Sequence, residues 1–162
     1  MRVLLTTLNS KFIHSNLALR YLKVSCKNLP ATVIMDEFTI NDHMEDILGS
    51  IYRHSPDIVA FSCYIWNKRE TLMIVESLKK VLPDCVIILG GPEVSFDSVA
   101  LMDKNPDIDF IVRGEGEITF PLLIERIIED KPLDDVDGIT FKQDDRIIEN
   151  RERELIKDLD II

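Results

Sequence analysis

Short runs rich in Val, Ile and Leu recur at a steady spacing through most of this chain: "RVLLTTL" (2–8), "ATVIMDEF" (31–38), "DIVAFSCYI" (57–65), "CVIILGG" (85–91) and "DFIVRGEG" (109–116). They are nearly continuous rather than alternating, as strands must be when both faces of a parallel sheet are covered. Between them lie segments with helical periodicity. Ile74, Val75, Leu78, Val81 and Leu82 make one apolar face; Phe120, Leu123, Ile124, Ile127 and Ile128 make another; Ala18, Tyr21 and Leu22 make a shorter one. Asp42 with Glu45, and Asn67 with Glu70, have the spacing of capping boxes at helix starts. Pro30, Pro56, Pro83 and Pro106 each fall between a helix and the next strand, where a residue without an N–H ends the helix. Five such units predict an α/β, Rossmann-like (flavodoxin-like) doubly wound sheet of five parallel strands in the order 2-1-3-4-5.

The last part of the chain breaks the rhythm. "DGITFKQDDRIIEN" (137–150) reads as two short strands around Gln143-Asp144-Asp145, a small β-hairpin. "RERELIKDLDII" (151–162) is charged and reads as a linker toward a further domain. The expected division is therefore 1–130 for the Rossmann-like domain, 131–150 for the hairpin extension and 151–162 for the linker.

Charge narrows the partners. The net charge is −10, and from Glu129 onward twelve acids face six bases. Such a surface repels a phosphate backbone, so direct nucleic-acid binding is not expected. No apolar run approaches the ~18 residues of a membrane span, and the start "MRVLLTTLNSKF" has no cleavage site of a signal peptide. Cys26, Cys63 and Cys85 are far apart and form no CxxC or CxxxCxxC pattern. They read as reduced, buried thiols of a cytoplasmic protein, and the chain offers no recognisable motif for an iron–sulfur cluster of its own.

In an open parallel sheet, ligands bind where loops leave the carboxyl ends of the strands, at the point where strand order reverses. For this order the crevice falls between the first and third strands. The loop after the first strand, "LNSKFIHSNLA", offers Asn9, Ser10 and His14, with Ser15 or Asn16 as helix caps. The third strand ends in "FSCYIWN", where Ser62 and Tyr64 share a side and Trp66 follows. Exposing the only Trp and a Tyr at a crevice mouth is costly unless something flat covers them. The fourth ends in "GGPEVS": Gly90 and Gly91 allow a close backbone approach, Pro92 stiffens the exit, and Glu93 follows. The fifth ends in "VRGEGE", with Gly114 and Gly116 bare and Glu115 beside the next helix start. The GxG is weak as a dinucleotide signal, because it follows the fifth strand, lacks a third glycine and carries an acid where a pyrophosphate would sit. These residues make a cradle. Nothing among them has the spacing of a triad or a metal cluster.

Together, "LNSKFIHSNLALRYL", "DIVAFSCYIWN", "ILGGPEVS" and "DFIVRGEGEITFPLLIE" resemble the N-terminal cobalamin-binding domain of B12-dependent radical S-adenosylmethionine proteins. The likeness covers about residues 1–130, and "GGPE" followed by "VRGEGE" is its most specific part. It implies that the strand ends take the nucleotide tail and one edge of the corrin, through Asn9, Ser10, His14, Ser62, Tyr64, Trp66, Gly90, Gly91, Pro92, Glu93, Gly114, Glu115 and Gly116. It also implies a radical barrel, in the rest of a longer chain, that holds a [4Fe-4S] cluster and S-adenosylmethionine; the whole would be a methyltransferase or an Fe–S oxidoreductase. The cobalamin domains of methionine synthase and mutases carry DxHxxG, whose histidine is the lower ligand of cobalt. This chain has no such motif: "DHMEDILG" (42–49) has the wrong spacing. His14 lies in the matching loop and is the candidate lower ligand, but without the Asp or the Gly.

Other readings of the same fold are weighed against this one. A receiver domain needs an Asp at the end of the third strand, where this chain has Ser62-Cys63-Tyr64. A flavin or nucleotide module needs glycine in the first loop to wrap a phosphate, and there is none. An interaction or regulatory domain that has lost cobalamin would keep the fold and use the acidic end as its interface.

Overall fold

The computed structural model describes residues 1–144 and 146–157. The parallel strands are β1 (Arg2–Asn9), β2 (Thr32–Thr39), β3 (Ile58–Ser62), β4 (Val86–Gly90) and β5 (Phe110–Val112). A hairpin, β6 (Ile139–Gln143) and β7 (Arg146–Glu149), follows. The helices are α1 (Leu17–Ser25), α2 (Met44–His54), α3 (Lys68–Val81), a single turn α4 (Pro92–Ser95), α5 (Ser98–Lys104) and α6 (Gly116–Glu129). The sheet runs β2-β1-β3-β4-β5-β6-β7, so the expected order of the parallel strands holds. The hairpin does not stand apart: β6 pairs antiparallel with β5, Val112 opposite Ile139, and makes the sheet seven strands wide.

Period-two alternation sorts each strand between two cores. Val59 and Phe61 on β3, with Ile87 and Leu89 on β4, face a core completed by Ile47, Ile51, Ile74 and Leu78 from α2 and α3. Ile58 and Ala60, with Ile88 and Val112, face the other core with Leu19 of α1 and Phe120, Leu123 and Ile124 of α6. On α1 the buried residue is Leu19, while Tyr21 is exposed and Ala18 and Leu22 are half-buried. The expected face of Ala18, Tyr21 and Leu22 is thus shifted, for a reason that lies in the site.

Both expected capping boxes fail. Helix α2 starts after His43 without a side-chain cap, and Asp42 Oδ2 instead accepts the Thr39 N–H at 2.7 Å, closing the turn out of β2. Asn67 does stand at the start of α3 but does not cap it. It is fully buried, and its Nδ2 donates to Leu8 O at 3.0 Å, Thr7 Oγ1 at 3.2 Å and Ser62 O at 3.2 Å. Its Oδ1 accepts the Tyr64 N–H at 2.8 Å. A buried amide that spends every polar atom this way is a cross-link between the ends of β1 and β3.

Candidate functional site

Three strands end in small residues on the face they share with α1 and α6. Ala60 and Ser62 close β3, Gly90 closes β4, and Gly114 follows β5. The opposite parity carries Phe61, Leu89 and Ile111, which fill the other core. Large residues on one face and small ones on the other leave the first face full and the second hollow. The hollow is a cavity of about 440 Å³, lined from the sheet by Ala60, Ser62, Ile88, Gly90 and Val112. Helices α1 and α6 supply Ala18, Leu22, Gly116 and Phe120 as its other walls. Ala18 and Leu22 stay half-buried because they border this space rather than the core.

The cavity opens at the carboxyl ends of the strands but not between β1 and β3. That crevice is closed by Asn67 and by Thr7 Oγ1, which donates to Ser62 O at 2.8 Å. The opening lies one strand further along, above β3, β4 and β5, where α1, which packs on β1 and β2, meets α6, which packs on β5.

The thirteen candidate residues fall into two sets. Ser62, Tyr64, Gly90, Gly91, Pro92, Gly114, Glu115 and Gly116 line the cavity. Asn9, Ser10, His14, Trp66 and Glu93 are not in its wall. Asn9 Nδ2 donates to Glu37 Oε2 at 2.8 Å and to the His14 carbonyl at 3.0 Å, which ties down the loop after β1. Glu37 Oε2 also accepts the Asn16 N–H at 2.8 Å, and Asn16 caps α1 by accepting from Leu19 N. The exposed His14 ring stands 3.2 Å from Ser10 Oγ. Glu93 turns away to Lys68 Nζ at 3.1 Å.

Trp66 stacks on Tyr64 with ring centroids 4.6 Å apart and planes within 3°. Tyr64 reaches the cavity while its hydroxyl accepts from Asn16 Nδ2 at 3.1 Å. The pair forms a flat aromatic step at the mouth, and Trp66 remains 44% exposed. Around the same end, Phe12 (85%) and Phe96 (90%) extend an apolar rim into solvent.

The two glycines after β4 differ in kind. Gly91 has φ of +103°, and a Cβ there would collide with the Cys63 carbonyl and stand 3.0 Å from Cys63 N. Its bareness therefore serves the approach of β3 to β4 within the protein. A Cβ on Gly90 would make ordinary contact with Val112 O at 3.6 Å. The fold does not need a glycine at 90, and what its absent side chain preserves is space.

Several wall residues carry no motif in the sequence: Ala18, Leu22, Ala60, Ile88, Val112 and Phe120. Only the parity of small residues in "VAFS" signals part of this set. Leu155 also reaches the cavity from the C-terminal segment, which is held by Glu115 Oε2 accepting Ile156 N–H at 2.7 Å and by Arg153 Nε donating to Thr119 Oγ1 at 2.6 Å.

Acid–base and metal chemistry find little here. Burial pushes the Cys63 thiol, behind Gly91, up to about 12, and Cys26 and Cys85 are raised for the same reason. All three are free and buried. No cluster of His, Cys, Asp and Glu fit to hold a metal occurs among the described residues. None of the described helices is long and apolar enough to cross a membrane. The arrangement can hold a ligand by shape and burial.

Comparison with known proteins gives the lineage. The B12 binding domain family model matches residues 3–124. An anaerobic magnesium-protoporphyrin IX monomethyl ester cyclase of Synechocystis is 42% identical over 84 residues, which are 52% of this chain and 17% of that protein. The cobalamin-dependent radical SAM methyltransferase TokK of Streptomyces tokunonensis is 34% identical over 77 residues, 48% of this chain and 11% of TokK. The chain thus spans less than a fifth of the length of either relative. Among solved structures, the cobalamin-dependent S-adenosylmethionine radical enzyme OxsB with aqua-cobalamin and S-adenosylmethionine bound superposes with a TM-score of 0.79 at 22% identity, over 95% of this chain and 22% of OxsB. The response regulator RcsB of Salmonella typhimurium shares the fold more loosely, with a TM-score of 0.60 at 13% identity over 90% of this chain and 64% of that one. Fold alone would therefore admit a receiver domain; the Ser62-Cys63-Tyr64 strand end and the match across residues 3–124 decide against it, and the chain belongs to the B12 binding domain family.

Proposed function

We propose that this chain is the cobalamin-binding module of a longer radical S-adenosylmethionine enzyme, a methyltransferase or an Fe–S oxidoreductase. The observation that carries this reading is the cavity of about 440 Å³ at the strand ends, hollowed by Ala60, Ser62 and Gly90 and walled by α1 and α6. A flat heteroaromatic base with a ribose fits such a slot, and the nucleotide tail of cobalamin carries one. Ser62, Gly90 and Gly116 would line the tail, with Ala60 and Ile88 beneath it. The Tyr64–Trp66 step and the apolar rim would meet the edge of the corrin, and His14 on the anchored loop after β1 is the candidate for the lower face of cobalt. Cobalamin, when bound, supplies a cobalt centre for one-carbon transfer; the protein's part is to hold the ring and keep water from it.

The loop after β1 carries no glycine to wrap a phosphate, which argues against the alternative of a flavin or nucleotide module. In the larger protein, residues 1–130 form the binding domain and 131–150 its edge extension, with 151–162 leading to the barrel. Residues 158–162 of that segment, and Asp145 of the turn expected from the sequence, lie outside the described residues. The barrel would hold the [4Fe-4S] cluster and S-adenosylmethionine and cover the exposed rim, in a cytoplasmic enzyme. Titration calorimetry of the chain with hydroxocobalamin tests the reading. Saturable one-to-one binding, with a visible spectrum showing the base released from cobalt, is expected. A folded chain that takes up no cobalamin would refute it.

A further inference from the structure

Cobamides differ in the base of their nucleotide tail, and the wall of this cavity bears on which base it admits. Most of the surface facing the space is carbon, from Ala18, Leu22, Ala60, Ile88, Val112 and Phe120. Most polar side chains that reach it are committed elsewhere. The Tyr64 hydroxyl accepts from Asn16; Ser95 Oγ donates to Gly91 O at 2.9 Å and accepts Gly114 N–H at 3.3 Å; Glu115 accepts from Ile156. Glu117 borders the cavity from the first turn of α6 as a carboxylate, which accepts and does not donate. That leaves Ser62. Its carbonyl, not its hydroxyl, serves the Thr7 and Asn67 cross-link, so Oγ can donate to a ligand.

We infer that this cavity selects among cobamides by the lower base, taking a benzimidazole in preference to a purine. The inference rests on the reading of the cavity as the seat of the nucleotide tail. A dimethylbenzimidazole released from cobalt presents one free ring nitrogen, which a single hydroxyl satisfies, and is otherwise hydrocarbon. Adenine presents several ring acceptors and an exocyclic amine. One ring acceptor could bond Ser62 and the amine could reach the Glu117 carboxylate, but the remaining ring acceptors would be buried against Leu22, Val112 and Phe120 without a side-chain donor. Apolar walls tolerate an added methyl group well, whereas polar groups left unpaired on burial are penalised.

The test is a set of titrations of the chain, followed by visible absorption and calorimetry, with three probes: cobalamin, its adenine counterpart, and cobinamide, which has no nucleotide. Cobalamin is expected to bind roughly 10- to 100-fold more tightly than the adenine cobamide. In Val112→Thr, which adds a hydroxyl to the same wall at nearly constant volume, that ratio is expected to shrink severalfold. Equal or tighter binding of the adenine cobamide overturns the inference and leaves cobalamin binding intact. Equal binding of all three, cobinamide included, shows that no base enters the cavity, and overturns the tail seat with it. Binding of none by a folded chain overturns the functional reading as a whole.

Discussion

Replacing Ala60 by leucine separates a cavity kept for a ligand from one that is only loose packing. Ala60 is 6% exposed on the floor of the hollow, with its methyl among Ile88, Ser62 and the helix walls. Leucine adds three carbon atoms to a space of about 440 Å³, so they enter without displacing the core. Full burial of each carbon is worth about 0.8 kcal/mol. Because the cavity opens at the strand ends, the expected gain is half to most of the total, about 1–2 kcal/mol of added stability. The same atoms occupy the seat proposed for the nucleotide tail. In the parent chain, hydroxocobalamin at a hundred times its Kd should stabilise by about 2.7 kcal/mol; in Ala60→Leu that increment should vanish. Urea denaturation with and without hydroxocobalamin measures both quantities. A variant more stable alone and indifferent to cobalamin is the expected result. A loss of more than about 1 kcal/mol, as in overpacked cores, or an undiminished cobalamin increment, would refute the reasoning.

The two glycines after β4 should respond oppositely. Gly91→Ala is expected to cost about 2 kcal/mol or more, from its positive φ and the Cys63 carbonyl, as read by urea midpoint. Gly90→Ala should stay within about 1 kcal/mol of the parent while weakening hydroxocobalamin binding. Asn67→Ala takes a partner from the Tyr64 N–H and the Leu8 carbonyl and leaves the Ser62 carbonyl with Thr7 Oγ1 alone; a loss of about 3 kcal/mol is expected, and an unchanged midpoint would contradict the cross-link. The thiols predict an alkaline weakness. The unfolded chain releases these protons near the ordinary thiol value of about 8.5, while burial holds Cys63 and Cys26 up to about 12 and Cys85 up to about 11. The native state therefore binds more protons between the two values, and its stability falls as pH rises through that window. Cys63 alone contributes a slope of about 1.4 kcal/mol per pH unit there, so Cys63→Ala should flatten the difference between urea midpoints at pH 8 and pH 10.

The sheet was legible because parallel strands covered on both sides leave continuous apolar runs, and because the prolines fall where helices stop. Strand ends were not. "DIVAFSCYI" reads as nine residues, but β3 stops at Ser62, where Asn67 turns the backbone by taking the Tyr64 N–H. Asn67 itself shows the limit of local spacing: an asparagine three residues before a glutamate looks the same whether it caps a helix or cross-links two strands. What decides is the position of Thr7 and Leu8, some sixty residues upstream. Gly91 raises the same difficulty, since its need for a bare Cα comes from Cys63 across the sheet. The floor of the cavity was half legible in the small residues Ala60 and Ser62 sharing one parity. Its walls were not, because Leu22 and Phe120 come from helices about a hundred residues apart that meet only in the fold.

The sole tryptophan offers the most direct test of the central claim. Trp66 stands stacked on Tyr64 at the mouth of the cavity, where a bound corrin, absorbing at the wavelengths the indole emits, would quench it. Titration of the folded chain with hydroxocobalamin should quench Trp66 fluorescence saturably, with the break at one equivalent, and Ala60→Leu should abolish the break. Fluorescence that falls only in proportion to added cobalamin, with no saturation and no difference between parent and Ala60→Leu, would contradict the account.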